Sequence, residues 1–373
     1  MTDIGKSPLA DDDFLAFLER RNLQEGYSRQ KAQVAKSAKR DFGEHSDSVA
    51  TSIENGIETA RRHRGIVNAC VFPFTRSRGH LRSETGYEFI RASPLYELGL
   101  ENSDFLLFKS EGRRKIAVIG EAKGTVSSPE SVVSEARSRL ATAKGNLDHI
   151  KINYLKIPKD ETVHLEYVLA VPINSGNDVL NSIIDTGGGL ITWSIPLAGD
   201  AEIRLAFPPK SLADGIERKS MMHLDHKLNE ALSGGTPSDR NEFSMFPQMH
   251  GYLELMALLR ITKREGSKAI VTKDALRSLL SSELFYMDDD YRERKADSIV
   301  ADGLDVGFLD VMPGQGVYKT VALGRNLNVL EDTLKKKWIA RQLVRKEEQH
   351  IQLKVAELQD EFKSKKEKEK VWF

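Results

Sequence analysis

The chain has 373 residues, enough for about two or three domains with a sizeable buried core, and its 55 Lys and Arg balance its 55 Asp and Glu, so no global field marks a nucleic-acid partner. A single cysteine, Cys70, excludes a disulfide framework and the Cys-rich zinc sites. No apolar run reaches the length of a membrane span, and the first residues, MTDIGKSPLADDDF, lack a signal peptide's basic and apolar regions, so a cytoplasmic protein with no membrane partner is expected.

Residues 1–65 read as a helical N-terminal region. DFLAFLERRNL near 13–23 forms one helix, and RQKAQVAKSAKR at 29–40 a basic one, either DNA-binding or simply solvated. In a third, Val49, Ile53 and Ile57 share a face. Arg61, Arg62, Arg64, Arg76, Arg78 and Arg82 then follow with no acidic residue between them, around VNACVFPF at 67–74, which reads as a hydrophobic strand. Such a run suits contact with a phosphate backbone; the alternative is a set of solvated arginines. TGYEFIRASPLYELGL at 85–100 reads as helical in its first half and is broken at Pro94.

Two short buried strands come next. Asp104 opens DFLLF at 104–108, and KIAVIG runs into GEAK at 120–123, with SEGRR at 110–114 as the hairpin turn around Gly112. Side chains alternate along a strand, so Glu121 and Lys123 project to one side while Ala122 points into the core. The start of one strand beside the end of the other gathers two carboxylates and an ammonium. Two carboxylates on adjacent strands can hold Mg²⁺, which takes a few oxygen ligands and keeps several waters. A lysine beside them can orient the attacking water or stabilise a phosphoryl transition state.

Downstream, Ser128 and Pro129 signal a helix start, and Ala136, Leu140, Ala143, Leu147, Ile150 and Tyr154 mark its buried stripe. HLEYVLAVP at 164–172 and GLITWSIPL at 189–197 read as further strands joined by a helix near 177–185. This core would occupy 66–232 as a mixed sheet flanked by helices, in the α/β class. His223 and His226 lack a convincing third ligand for zinc, and the glycines at 187–189 lack the spacing of a phosphate-binding loop. SGGTPSDRNEF at 233–243 has a linker's composition. Beyond it, 244–325 contains three helices, 250–266, 273–285 and 289–303, and then two strands around a Pro-Gly-Gln-Gly turn. That order resembles a winged-helix domain, whose third helix would offer Arg292, Arg294 and Lys295 to DNA, with Gln315 and Lys319 on the wing. The charged tail, 326–373, places Ile351, Val355, Leu358 and Phe362 on one seam suited to a partner helix.

The spacing D-x16-E-x-K between hydrophobic strands resembles the PD-(D/E)XK nuclease superfamily, with its restriction-endonuclease-like fold, over residues 84–207. Ser103 stands where the family name has Pro. The resemblance implies that Asp104 and Glu121 bind Mg²⁺, with Mn²⁺ as a possible substitute, and that Lys123 assists the nucleophile. It also implies a further acid from a helix before the first catalytic strand: Glu88 is the choice, with Glu84 and Glu97 as rivals. The implied activity is endonucleolytic hydrolysis of DNA, expected double-stranded, by a homodimeric restriction or other prokaryotic defence enzyme. A structure-selective repair or recombination nuclease, and a non-catalytic DNA-binding or assembly protein on the same fold, are the alternatives.

Overall fold

The computed structural model describes residues 12–20, 22–75, 81–100, 103–187, 189–196, 223–228, 230–231, 247–265, 270–314, 316–321 and 327–370. Arg76, Arg78, Gln315, the middle of the 187–189 glycines and the linker at 233–243 lie outside them. Two compact units result, residues 1–56 with 328–373, and residues 57–327. Among the described residues no helix is long and apolar enough to cross a membrane.

The first unit is helical. Helix α1 (Asp12–Arg20) ends at Asn22, whose positive φ of 51° lets the Leu23 N–H turn back onto the Leu18 carbonyl at 2.9 Å, and α2 (Gln24–Val71) follows. The N-terminal part of α2 lies antiparallel to the C-terminal helix Leu327–Lys370. Tyr27 meets Phe362 edge to face at 5.2 Å, Lys39 pairs with Glu347 at 3.0 Å, and Glu54 pairs with Lys335 at 3.0 Å. The pairing thus extends over about 40 Å at 1.5 Å per residue. Phe14, Leu18, Tyr27 and Leu358 form its small core, so the seam expected to take a partner helix takes the chain's own N-terminal helices at Leu358 and Phe362.

The second unit contains a five-stranded mixed sheet in the order β1 (Glu88–Ala92), β2 (Phe105–Glu111), β3 (Arg114–Ala122), β4 (His164–Pro172), β5 (Ile191–Ile195). The first three strands are antiparallel, and β3, β4 and β5 are parallel. The β2–β3 hairpin closes through Gly112 at φ +60° and Arg113. Helices α4 (Pro129–Gly145) and α5 (Gly176–Asp185) make the crossovers, and apolar cores cover both faces. Ser128 caps α4 by accepting the Ser131 N–H at 3.2 Å, with Pro129 in the first turn. Gly120 is required by its neighbour: a Cβ there would lie 1.8 Å from the Phe105 ring, which is itself stacked on Trp193 with centroids 6.1 Å apart.

Two expectations are corrected. VNACVFPF is no strand: α2 runs through Val71, past the boundary expected at 65, and ends in a single turn at Phe72–Phe74. Its residues 66–71 are buried, and a short apolar run does not distinguish a strand from a buried helix end. The segment around Glu88 is strand rather than helix; the helix before it, α3, ends at Thr85 (Leu81–Thr85). Tyr87, Phe89 and Arg91 are buried while Glu88 and Ile90 are half-buried, the two-residue alternation of a strand.

Within the same unit, a C-terminal module runs α6 (Gly251–Glu265), β6 (Ile270–Thr272), α7 (Lys273–Glu283), α8 (Asp289–Asp305), β7 (Leu309–Val311), β8 (Val317–Thr320), with the strands in the order β6-β8-β7. The three expected helices and the hairpin are present, and β6 adds a strand. Thr272 and Asp288 cap α7 and α8 through the N–H groups of Ala275 and Tyr291.

Candidate active site

The β2–β3 register sets the site. Phe105 lies opposite Gly120, so Asp104 falls opposite Glu121 at the end of the pair. The ladder continues past the strand: the Asp104 N–H donates to the Gly120 carbonyl at 2.8 Å, and the Asp104 carboxylate accepts the Ala122 N–H at 2.6 Å through Oδ2. A backbone donor thereby fixes the side chain's direction. On the other edge of β3 the Lys123 N–H donates to the Ala170 carbonyl of β4 at 2.9 Å. Glu121 and Lys123 emerge on one side, as alternation requires, with Lys123 Nζ 2.7 Å from Glu121 Oε1.

Glu121 is nearly sealed from water, its side chain 3% exposed, whereas that of Asp104 is 26% exposed. The buried carboxylate is satisfied on both oxygens. Tyr167 of β4 donates to Oε2 at 2.9 Å, and Oε1 receives Lys123 and Arg139, the latter from α4. Burial, more than any neighbour, pushes the Tyr167 hydroxyl up to about 12, so it remains a donor at neutral pH. Ser103, at the position of the family's Pro, is buried and hydrogen-bonded to the Tyr167 hydroxyl at 3.0 Å. Glu135 of α4 adds a third carboxylate 2.8 Å from Lys123 Nζ, and the Lys123 hydrogen bond is the main cause holding its pKa below the usual value.

A further residue arrives from far upstream. His63 Nε2 lies 3.1 Å from Asp104 Oδ1. Burial works to lower the imidazole pKa, but the hydrogen bond and charge of Asp104 outweigh burial and the Lys123 ammonium, so it is raised. What admits this helix is Gly124, immediately after Lys123: a Cβ there would lie 2.8 Å from the His63 backbone nitrogen and 3.0 Å from the Thr59 carbonyl oxygen. Sequence reasoning missed His63, for which Gly124 is the one local signal.

Asp104, Glu121 and Lys123 are therefore brought together. Glu88 is not: it pairs with Phe108, at the far end of β1 from the Ala92–Phe105 pair, about 13 Å along the strand, and its carboxylate binds Arg82 at 2.9 Å. Glu84 pairs with Lys227 at 3.2 Å and Glu97 with Arg91 at 2.8 Å. The chain matches no protein-family model, no curated protein and no solved structure.

Among the described residues no group of three or more His, Cys, Asp and Glu side chains is arranged to hold a metal ion. The donor chemistry nevertheless fits a hard divalent cation, because two carboxylates from adjacent strands suffice for Mg²⁺ with its own waters. Lys123 and Arg139 supply on Glu121 the positive charge that such a cation would otherwise supply.

The expected DNA contacts divide. Arg61 and Arg62 are exposed on α2 beside His63; Arg61 pairs with Glu58 at 3.2 Å, and the Arg62 Cβ lies 3.3 Å from a Cβ built at Gly124, close to the site. Arg64 is half-buried, its guanidinium donating to the Leu253 carbonyl at 3.5 Å, and Arg82 is held by Glu88. On α8, Arg292 donates to the Leu284 carbonyl at 3.1 Å and to Asp289 at 2.6 Å. Lys295 reaches the Pro247 carbonyl at 3.3 Å and pairs with the buried Glu254. Both cations thus serve the module's interior, contrary to expectation, and only Arg294 of the three is exposed. The exposed side of α8 carries Asp289, Asp290, Glu293 and Asp297.

Proposed function

We propose that this chain is a divalent-metal-dependent endonuclease that hydrolyses DNA, with a restriction-endonuclease-like core. The convergence of Asp104, Glu121 and Lys123 at one end of an antiparallel pair whose inner strand continues into a parallel sheet carries the reading. Asp104 and Glu121 would hold the cation. Bound Mg²⁺ would offset charge on the scissile phosphate and lower the pKa of a water. Lys123 Nζ, on the same face as Glu121, would orient that water or meet charge developing on the phosphoryl oxygens. Tyr167 and the Ala122 N–H fix the two carboxylates beforehand, which removes reorganisation from the reacting state. Arg61 and Arg62 would meet the duplex backbone beside the site.

The helix–strand–helix–helix–hairpin order of the C-terminal module suits a winged helix. With Arg292 and Lys295 turned inward and acids on the exposed side of α8, that module suits protein contact or self-association better than reading a groove. A restriction or other defence nuclease is the first reading. One observation favours a second, a non-catalytic DNA-binding or assembly protein: Glu121 is fully satisfied by Tyr167, Lys123 and Arg139, as in a structural ion-pair cluster. Incubation with supercoiled, linear and branched DNA, with and without Mg²⁺, separates these readings. Discrete fragments support restriction, cutting of branched DNA alone supports a structure-selective enzyme, and metal-independent binding without any cutting supports the non-catalytic protein.

A further inference from the structure

Arg139 and Lys123 reach the same oxygen, Oε1 of Glu121, Lys123 at 2.7 Å. Both also reach Glu135 Oε2, Lys123 at 2.8 Å and Arg139 at 3.9 Å. Two cations thus share two carboxylates, of which Glu121 is sealed at 3% exposed and Glu135 is 45% exposed, the side chains of Lys123 and Arg139 being 21% and 17% exposed. A divalent cation taken up by Glu121 would sit beside both of them, and like charges repel strongly where the dielectric is low. One cation has to leave. Lys123 is the less free to do so: its Nζ already bonds Glu135 Oε2 at 2.8 Å, and it stands two residues beyond Glu121 on the same face. Arg139 is well placed, since it comes from a neighbouring helix on which Glu135, one turn earlier, can receive its guanidinium. Its planar fork matches the paired oxygens of a phosphodiester.

We propose that Arg139 holds the place of the divalent cation on Glu121 in the DNA-free protein and turns onto the phosphodiester when cation and DNA enter, so that each favours the other's binding. This rests on the nuclease reading above. Arg139 thereby acts twice, as a competitor of the metal before DNA arrives and as a clamp on the phosphate afterwards. By linkage, any affinity that DNA adds to the metal, the metal adds equally to DNA.

The test is Mn²⁺ binding to the full DNA-free chain by calorimetry, paired with single-turnover DNA cleavage, for the parent, Arg139→Gln, Arg139→Lys and Asp104→Ala. Arg139→Gln, which removes the competing charge, should bind Mn²⁺ about tenfold more tightly than the parent. It should also cut about a hundredfold more slowly. Arg139→Lys keeps the charge and loses the fork, so it should bind Mn²⁺ as the parent does yet cut more slowly. A guanidinium that merely braces Glu121 predicts the opposite sign, weaker Mn²⁺ binding in Arg139→Gln. Folded Arg139→Gln that binds Mn²⁺ no more tightly than the parent overturns the metal-competitor role, and Arg139→Lys cutting at the parental rate overturns the phosphate role. Should the parent bind no Mn²⁺ even with duplex DNA present, or Asp104→Ala bind it as well as the parent, the nuclease reading fails and takes the Arg139 proposal with it.

Discussion

Replacing Asp225 by Asn should make the protein more stable as the pH rises. Asp225 is 2% exposed beneath the sheet, where its Oδ1 accepts the Trp193 Nε1–H at 2.9 Å and its Oδ2 has no hydrogen-bond partner among the described residues. Burial raises its pKa to about 8, the charge of Glu166 adds to that, and the Trp193 bond opposes it. An unfolded aspartate gives up its proton near pH 3.9. The folded state keeps the proton to higher pH, so Asp225's contribution is fully present below about pH 4 and is lost as pH rises to about 8. The loss is about 1.4 kcal/mol per unit, on the order of 5 kcal/mol over the window. Asn keeps the acceptor for Trp193 and cannot ionise. In urea unfolding followed by tryptophan fluorescence, Asp225→Asn and the parent should therefore differ little near pH 4 and diverge by several kcal/mol towards pH 8.5, with the variant the more stable. Stability profiles that stay parallel from pH 5 to 9 would refute the buried, protonated carboxyl.

Other expectations follow from close approaches and ion pairs. Gly120→Ala drives a Cβ into the Phe105 ring and should lower stability by about 1–3 kcal/mol; an unchanged melting temperature would contradict the packing. Gly124→Ala pushes the α2 backbone from Lys123 and should move the His63 imidazole away from Asp104, visible as a changed His63 titration by NMR; an unaltered titration would break the link between that glycine and the site. Lys295→Met strands the buried Glu254 and should destabilise by about 3–5 kcal/mol while leaving DNA affinity unchanged. Arg62→Ala should instead lower the salt dependence of DNA binding by about one unit of slope without loss of stability. The reverse pattern in that last pair would return the module to a DNA-reading role.

Local signals made the hairpin legible. Gly112 between apolar runs fixed where the chain turns, period-two alternation fixed the faces of Glu121 and Lys123, and Ser128 with Pro129 fixed the start of α4. Strand β1 reads as helix from sequence because YEFIRA is short and its polarity does not follow its alternation: Arg91 occupies a buried position and Ile90 a half-buried one. The continuation of α2 through Val71 was hidden because its end is buried all round and reads as an apolar run. His63 is a non-local partner, and no spacing rule connects a helix to a hairpin some forty residues later. The inward turn of Lys295 was equally invisible, since it depends on Glu254 lying buried on α6, a fact of packing rather than of helix charge.

The central claim is that Asp104 and Glu121 act as a metal-holding pair with Lys123 as the chemical partner. Single-turnover hydrolysis of a labelled duplex in Mg²⁺, measured beside Mn²⁺ affinity for the parent, Asp104→Ala, Glu121→Ala and Lys123→Ala, tests it most directly. The parent should cut, the two carboxylate variants should lose both metal binding and cutting, and Lys123→Ala should bind metal but fail to cut. Undiminished cutting by folded Glu121→Ala protein would contradict the account.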